Sequence, residues 1–384
     1  MGLGVSISMN MFRRRFVISK SMRQRVHIAQ SLDIGGTESQ LAAICEMYSN
    51  SNQTNVFFIC LTNSGHCGKY IEDLGFRVIE MKSNSVIPNL KLIFDLVKIF
   101  KSNHVSQVIC HGAEANFHGI LAALISRVPK RISEEIGLHE RSKKAQVIFA
   151  AIFALSSFTI VASNEVLESL EKVRFSRFGR YLVIPPPLRR SYQSISNVKH
   201  DASMESMNFL FVGRFEPVKN ITSLVTDFVQ IAKRETRPCY LYLVGSGSMK
   251  QNIASLITSL GAEAYVRIIP PQLDLSPYYE WCNFYIQNSQ SEGFGISAAE
   301  ALSFGKPIIT RPTGFAREFI INRVNGFVLD NLDTNSLKSH LQSALSLHIE
   351  DYTEMSKSAH RTFRAMLPTK SYLESLDEIL GDFK

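Results

Sequence analysis

From Arg25 onward the chain repeats one unit: a short apolar strand, a turn containing glycine, then a helix. Arg25-Val-His-Ile-Ala-Gln reads as a strand, Asp33-Ile-Gly-Gly-Thr as a turn, and Glu38 to Tyr48 as a helix with Leu41, Ile44 and Cys45 on one face. Further strands are expected at Val56–Leu61, Arg77–Met81, Gln107–Cys110, Thr159–Ala162 and Tyr181–Ile184, with helices such as Leu90–Phe100 and Phe117–Ile125 between them. Residues 189–206 are polar, serine-rich and without apolar period, so they read as a linker. The alternation then restarts, with strands at Met207–Gly213, Tyr240–Gly245, Val266–Ile269, Asn283–Gln287 and Pro307–Thr310. The helices here are Ile221–Lys233, Met249–Leu260 and Ser297–Phe304, and a helical tail runs from Asn335. Strands separated by helices pair in parallel and take helices on both faces. The expected architecture is therefore two doubly wound α/β domains, 25–188 and 207–365, with a tail at 366–384. Ligands of such folds sit at the carboxyl ends of strands, where loops meet helix N-termini.

The length of 384 residues lets each half bury its own core, and the composition excludes a disulfide scaffold, a fibre and a disordered chain. Six cysteines (Cys45, Cys60, Cys67, Cys110, Cys239, Cys282) form no CxxC pair, which points away from zinc or redox motifs and towards a reducing cytoplasm. The net charge of +8 fits nucleic acid, an anionic membrane surface or phosphorylated ligands. Part of that surplus lies in residues 1–24, a basic extension carrying Arg13, Arg14, Arg15, Lys20 and Arg23 without an acid. It reads as a membrane-binding arm, a disordered tail, or sequence upstream of a start at Met22. A second basic face is read at Arg174, Arg177, Arg180, Arg189 and Arg190, either solvated or facing an anionic membrane. The apolar run Ala145–Ala162 approaches a spanning length, but its flanks favour a buried helix ending near Ser156-Ser157 and a strand from Thr159.

Three segments could carry chemistry. Gly35-Gly36 lets a backbone approach a phosphate beside a helix N-terminus, or serves as plain turn punctuation. After the strand ending at Gly213, Arg214 and Lys219 converge on one anion or remain solvated cations. Asn288-Ser-Gln-Ser-Glu292-Gly-Phe-Gly295-Ile296-Ser-Ala-Ala-Glu300 leads a glycine loop into a helix, aiming free N–H groups at an anion. Its two carboxylates suit sugar hydroxyls, although Ser297-Ala-Ala-Glu300 also fits a capping box and Glu292 a solvated loop acid. His111, closing a strand in the first domain, is an acceptor-side candidate or a loop histidine bonded to backbone. No metal-ligand spacing, nucleophile elbow or Ser/His/Asp order is present, and no basic stripe interleaved with aromatics supports nucleic acid as a partner.

The order Gly-Gly-Thr-Glu, Val-Gly-Arg-x4-Lys, Leu-Val-Gly-Ser-Gly and Ser-Glu-Gly-Phe-Gly-x4-Glu-Ala-x3-Gly-Lys-Pro resembles the retaining glycosyltransferases of family four, which have the GT-B fold. The resemblance runs from about Arg25 to Leu380 and implies two Rossmann-like domains facing across a cleft, the donor on the second and the acceptor on the first. By resemblance, Arg214 and Lys219 hold the diphosphate of a nucleotide-sugar, assisted by Gly213, Gly295 and Ile296. Glu300 takes the ribose diol, Glu292 contacts the transferred sugar, and Gly35 and Gly36 reach the diphosphate on closure. A hexosyl- or N-acetylhexosaminyl-transferase acting on a glycan or lipid-linked acceptor follows from the resemblance. It would serve surface polysaccharide synthesis, with neither metal nor cofactor, in the cytoplasm or at the inner membrane face. Three stretches depart from the family pattern: Ile132-Ser-Glu134-Glu135 where a histidine is frequent, Pro185-Pro186-Pro187-Leu188, and Ile269-Pro270. The rival reading is a GT-B accessory protein that binds a nucleotide-sugar without turnover.

Overall fold

The structure is a computed structural model that describes residues 23–33, 35–137, 142–172, 179–193, 205–330, 335–368 and 370–381. The first half lays down β1 (Gln24–Ala29), α1 (Gly36–Asn50), β2 (Val56–Cys60), α2 (Gly65–Asp73), β3 (Arg77–Glu80), α3 (Leu90–Ser102) and β4 (Val105–His111). It continues with α4 (Ala113–Ile125), β5 (Lys130–Glu135), α5 (Lys143–Leu155), β6 (Phe158–Val161), α6 (Asn164–Glu171), β7 (Tyr181–Val183) and α7 (Arg190–Gln193). The second half comprises β8 (Met207–Val212), α8 (Ile221–Ala232), β9 (Cys239–Val244), α9 (Lys250–Ser259), β10 (Val266–Ile269), α10 (Ser276–Trp281) and β11 (Phe284–Gln287). It ends with α11 (Ile296–Ser303), β12 (Ile308–Thr310), α12 (Ala316–Phe319), β13 (Gly326–Val328), α13 (Ser336–Leu345), α14 (Ile349–Met366) and α15 (Tyr372–Leu380).

Two parallel sheets result, ordered β3-β2-β1-β4-β5-β6-β7 and β10-β9-β8-β11-β12-β13. Both have the doubly wound order expected from the alternation, and both reverse direction of growth beside their first strand. Every residue of β1 and β2 is buried, as befits strands covered on both faces. Helix starts are set by short side chains: Asn89 accepts from Leu92 N, Ser142 from Ala145 N and Ser163 from Val166 N. The Ala145–Ala162 run divides as the flanks indicated, into α5 and β6. Among the described residues no helix is long and apolar enough to cross a membrane.

The structure adds elements that the pattern did not show. β5 was missed because its last three residues, Ser133, Glu134 and Glu135, are polar yet buried. β13 has only three residues, and α2 and α6 are short and weakly apolar. The tail does not stay with the second domain. α14 packs Ala359 and Phe363 against α11, whereas α15 inserts Tyr372, Leu373, Leu376 and Leu380 into the core of the first domain. Residues 1–22, most of the 189–206 linker, Arg174 and Arg177 lie outside the described residues. Arg189 is not a solvated surface cation. Its guanidinium pairs with Glu46 of α1 at 3.0 Å, donates to Tyr70 of α2 and reaches the Leu273 carbonyl of the second domain, tying the two halves at the hinge.

Candidate functional site

The carboxyl ends of β1 and of β11 open on the same gap, and the helices that follow them point their N-termini at each other. A Cβ on Gly36, the first residue of α1, would stand 3.9 Å from Ile296 Cδ1, at the first residue of α11. Two helix N-termini aimed into one space favour an anion there, through free N–H groups and aligned dipoles. Gly295 caps α11 at φ 98°, and a Cβ there would come 2.7 Å from Gln287 Oε1, so only glycine turns the loop this tightly. Gly293 faces a harder limit, because a Cβ would lie 1.6 Å from the Ile136 carbonyl of the first domain.

The predicted cations flank this gap. Arg214 is exposed at the end of β8, and its charge opposes the upward push that burial gives the Glu38 carboxyl in the first turn of α1. Lys219 ends a single 3₁₀ turn, Pro217–Lys219, and its Nζ is 2.7 Å from Glu292 Oε1. Gly213 donates to the Val244 carbonyl, which fixes the loop that carries Arg214. Glu292 is therefore not a solvated loop acid but half of a mostly buried ion pair.

Glu300 is not part of a capping box. The helix begins at Ile296 with Gly295 as its cap, and Ser297 lies inside the first turn. The Glu300 carboxyl is buried and accepts from two hydroxyls, Tyr279 at 2.7 Å and, across the gap, Ser39 of α1 at 3.1 Å. Burial outweighs those bonds and pushes it up to about 7. Neither Tyr279 nor Ser39 carries a local sequence signal. Ser39 follows the Gly-Gly turn closely, but its partner is more than 250 residues away.

His111 is neither a loop residue nor open to the cleft. It is the last residue of β4, its side chain is fully buried, and it bonds Glu134 on the neighbouring strand β5. From there a chain of polar contacts crosses the sheet: His111 to His27 (2.8 Å), His27 to the Tyr48 hydroxyl (2.8 Å), and Tyr48 to Arg25, which pairs with Asp377 of α15 at 2.6 Å. Gln40, next to Ser39 on α1, donates to Glu134 at 2.7 Å, so the same network fixes the helix that faces Glu300. His27 is held far below its ordinary value, by burial first and then by His111 and Arg25.

The first domain closes on the glycine loop from a second side. Ser163 donates to the Gly293 carbonyl at 2.5 Å, Glu165 accepts from Gly314 N at 2.5 Å, and Glu168 pairs with Arg317 at 3.0 Å. The first two turns of α6 thus grip α12 and the loop before it.

Two Rossmann-like domains clasping a glycine loop, with cations and carboxylates around paired helix N-termini, define a GT-B protein. The structure of HepE from Anabaena, solved in complex with UDP and glucose, superposes with a TM-score of 0.74, covering 94% of this chain and 100% of that one at 18% identity. Residues 194–362 match the model "Glycosyl transferases group 1" and residues 45–165 match "Glycosyl transferase 4-like", and the chain belongs to this GT4-type group 1 family. An uncharacterised glycosyltransferase of Haemophilus influenzae is 29% identical over 156 residues, 40% of this chain and 44% of that protein. The alpha-monoglucosyldiacylglycerol synthase of Acholeplasma laidlawii is 24% identical over 230 residues, 57% of this chain and 55% of that protein. The alignments thus span about half the length of these relatives.

Proposed function

We propose that the protein moves a hexosyl or N-acetylhexosaminyl group from a nucleotide-diphosphate sugar to a glycan or lipid-linked acceptor, with retention of anomeric configuration. The observation that carries this reading is the convergence of Arg214, Lys219, Glu292, Glu300 and two helix N-termini on one gap between the domains. The diphosphate would lie between the helix ends, where Arg214 and Lys219 neutralise charge as the sugar bond breaks. Lys219 would exchange part of its contact with Glu292 for phosphate oxygens, releasing the Glu292 carboxylate to the sugar. Glu300 would exchange the Ser39 hydroxyl for the ribose diol. Retention follows if the acceptor attacks the face that the diphosphate leaves, with a departing phosphate oxygen taking its proton. No metal is part of the proposal, and because HepE was solved with UDP, UDP-sugars are the first donors to try. The acceptor chemistry fits surface polysaccharide synthesis at the cytoplasmic face of a membrane.

The accessory reading rests on one observation: Lys219 pairs with Glu292, and Tyr279 and Ser39 donate to Glu300, so both carboxylates have partners within the protein itself. A thermal-shift screen with UDP-, GDP-, ADP- and CMP-sugars tests the donor site, since a ligand of the folded state must raise apparent stability. No shift with any of them sinks the donor assignment. Slow donor hydrolysis lost in Glu292→Ala supports turnover, and binding without hydrolysis or transfer supports the accessory role.

A further inference from the structure

The first domain carries an apolar surface that the cleft does not use. Val86, Leu90 and Phe94 are 65%, 67% and 57% exposed, and Val147 and Ile148 are 50% and 43% exposed. Leu90 and Phe94 lie one turn apart on α3, while Val147 and Ile148 occupy the second turn of α5. The loop carrying Val86 and Ile87 reaches from one helix towards the other, because Ile87 packs both on the α3–α4 core and on the cluster containing Phe149 and Phe153 of α5. The loop between β3 and α3 is held in place: Asn89 donates to the Asn84 carbonyl at 2.6 Å and its N–H reaches His118 at 3.2 Å, while Val86 N donates to Asn84. A soluble surface rarely fixes large apolar side chains outward in one group without covering them.

Charge identifies the cover. Lys82, Lys91 and Lys98 are exposed on the loop and α3, and Lys143 and Lys144 are exposed at the start of α5. The one acid between residues 82 and 101 is Asp95, already paired with Lys98 at 3.3 Å, and residues 142–155 contain none. Both helices begin at the carboxyl edge of the first sheet, the edge that also carries the Gly35-Gly36 turn. We propose that this surface, the β3–α3 loop with the first two turns of α3 and α5, docks on an anionic lipid bilayer. Leu90, Phe94 and Val147 enter the interface and the lysines meet the headgroups. The docking holds the mouth of the cleft at the membrane. It names the surface for the membrane-facing part of the function proposed above, but it does not depend on the donor site.

Co-flotation of the full-length protein with equimolar phosphatidylglycerol and phosphatidylcholine vesicles tests the surface, with pure phosphatidylcholine vesicles in parallel. The expected result is binding to the anionic vesicles that weakens in high salt. Leu90→Ser with Phe94→Ser should lower the partition coefficient roughly tenfold or more, and each of Lys91→Gln and Lys144→Gln about fivefold. These side chains are exposed, so an unchanged melting temperature and an unchanged nucleotide-induced shift show that the variants fold. Failure of the wild type to float overturns the proposal. So does flotation that survives Leu90→Ser/Phe94→Ser, which would assign binding to the basic residues 1–24. A dimer that the same pair of substitutions dissociates, with vesicle binding unaffected, would assign the patch to a second copy instead. Flotation without any nucleotide shift would leave the surface standing and remove the donor assignment.

Discussion

The second domain builds its side of the cleft locally: a glycine loop, a helix N-terminus and the short turn from Gly213 to Lys219, carrying Arg214, Lys219, Glu292 and Glu300 within a few residues of the strands that position them. The first domain meets it through the Gly35-Gly36 turn and Ser39 of α1, a helix held from behind by Gln40 on Glu134, part of a buried polar chain of Arg25, His27, Tyr48, His111, Glu134 and Asp377 that crosses several strands to the returning helix α15. A site built from neighbouring residues keeps its shape locally. A side-chain network distributes its geometry over distant segments, so its loss should be felt in stability before it is felt in ligand binding.

The sharpest way to break that contrast is Gly293→Ala. The added Cβ would overlap the Ile136 carbonyl, so closure over the loop should fail and donor turnover should fall by roughly a hundredfold or more. A hydrolysis assay with small-angle scattering would show an active-site defect in a folded, more open molecule. Next is Arg214→Ala, which removes a charge-assisted contact and should weaken nucleotide-diphosphate binding by about tenfold to a hundredfold with little change in melting temperature. Retained affinity, measured by calorimetry, would move the phosphate site elsewhere. On the other side of the comparison, Glu134→Ala leaves His111, Gln40 and the Tyr372 hydroxyl without their shared acceptor. It should cost about 1–3 kcal/mol of stability while changing nucleotide affinity far less, as read by chemical denaturation.

The smallest effect is in pH dependence, where the two domains should have opposite signs. Between pH 4.5 and about 7 the folded chain keeps a proton on Glu300 that the unfolded chain releases, so this group's contribution to stability falls as pH rises through that window. Below 6.5 the unfolded chain takes up a proton that buried His27 refuses, so stability falls as the solution is acidified. Between pH 5 and 7 the two terms oppose each other, so relative to wild type Glu300→Gln should make the melting temperature rise more steeply with pH and His27→Gln should make it rise less steeply or fall. Identical profiles in wild type and variants would mean that neither group is shifted.

The contrast also explains what could be read in advance. The strands and helices read in the second domain were placed to within a residue or two, since glycines punctuate it and its strands are plainly apolar, while the short α10, α12 and β13 were not read. The candidate residues Arg214, Lys219, Glu292, Gly295, Ile296 and Glu300 were legible for the same reason, and the fold brings them with Gly36 to one gap. His111 was read at the end of a strand, where it lies, but its burial against Glu134 was not foreseen, and β5 was missed altogether. A histidine and two glutamates look solvent-facing in a one-dimensional pattern, yet here they are buried because they satisfy one another or other interior groups. The alternative capping box at Ser297 failed because glycine takes the left-handed cap two residues earlier, at Gly295, which releases Glu300 to look inward.

By itself the amino-acid order determined two parallel α/β domains and a glycine loop feeding a helix, because β-strand alternation, helix periodicity and glycine's backbone freedom act over a few neighbouring residues. The tertiary structure alone decided which polar groups are buried together. It placed Ser39 opposite Glu300 and Lys219 against Glu292, sent α15 back to pair Asp377 with Arg25, and left Leu90, Phe94 and Val147 exposed on helices that carry lysines. Those pairings depend on desolvation and on contacts between residues far apart in the chain, and neither quantity is a property of any short stretch of sequence.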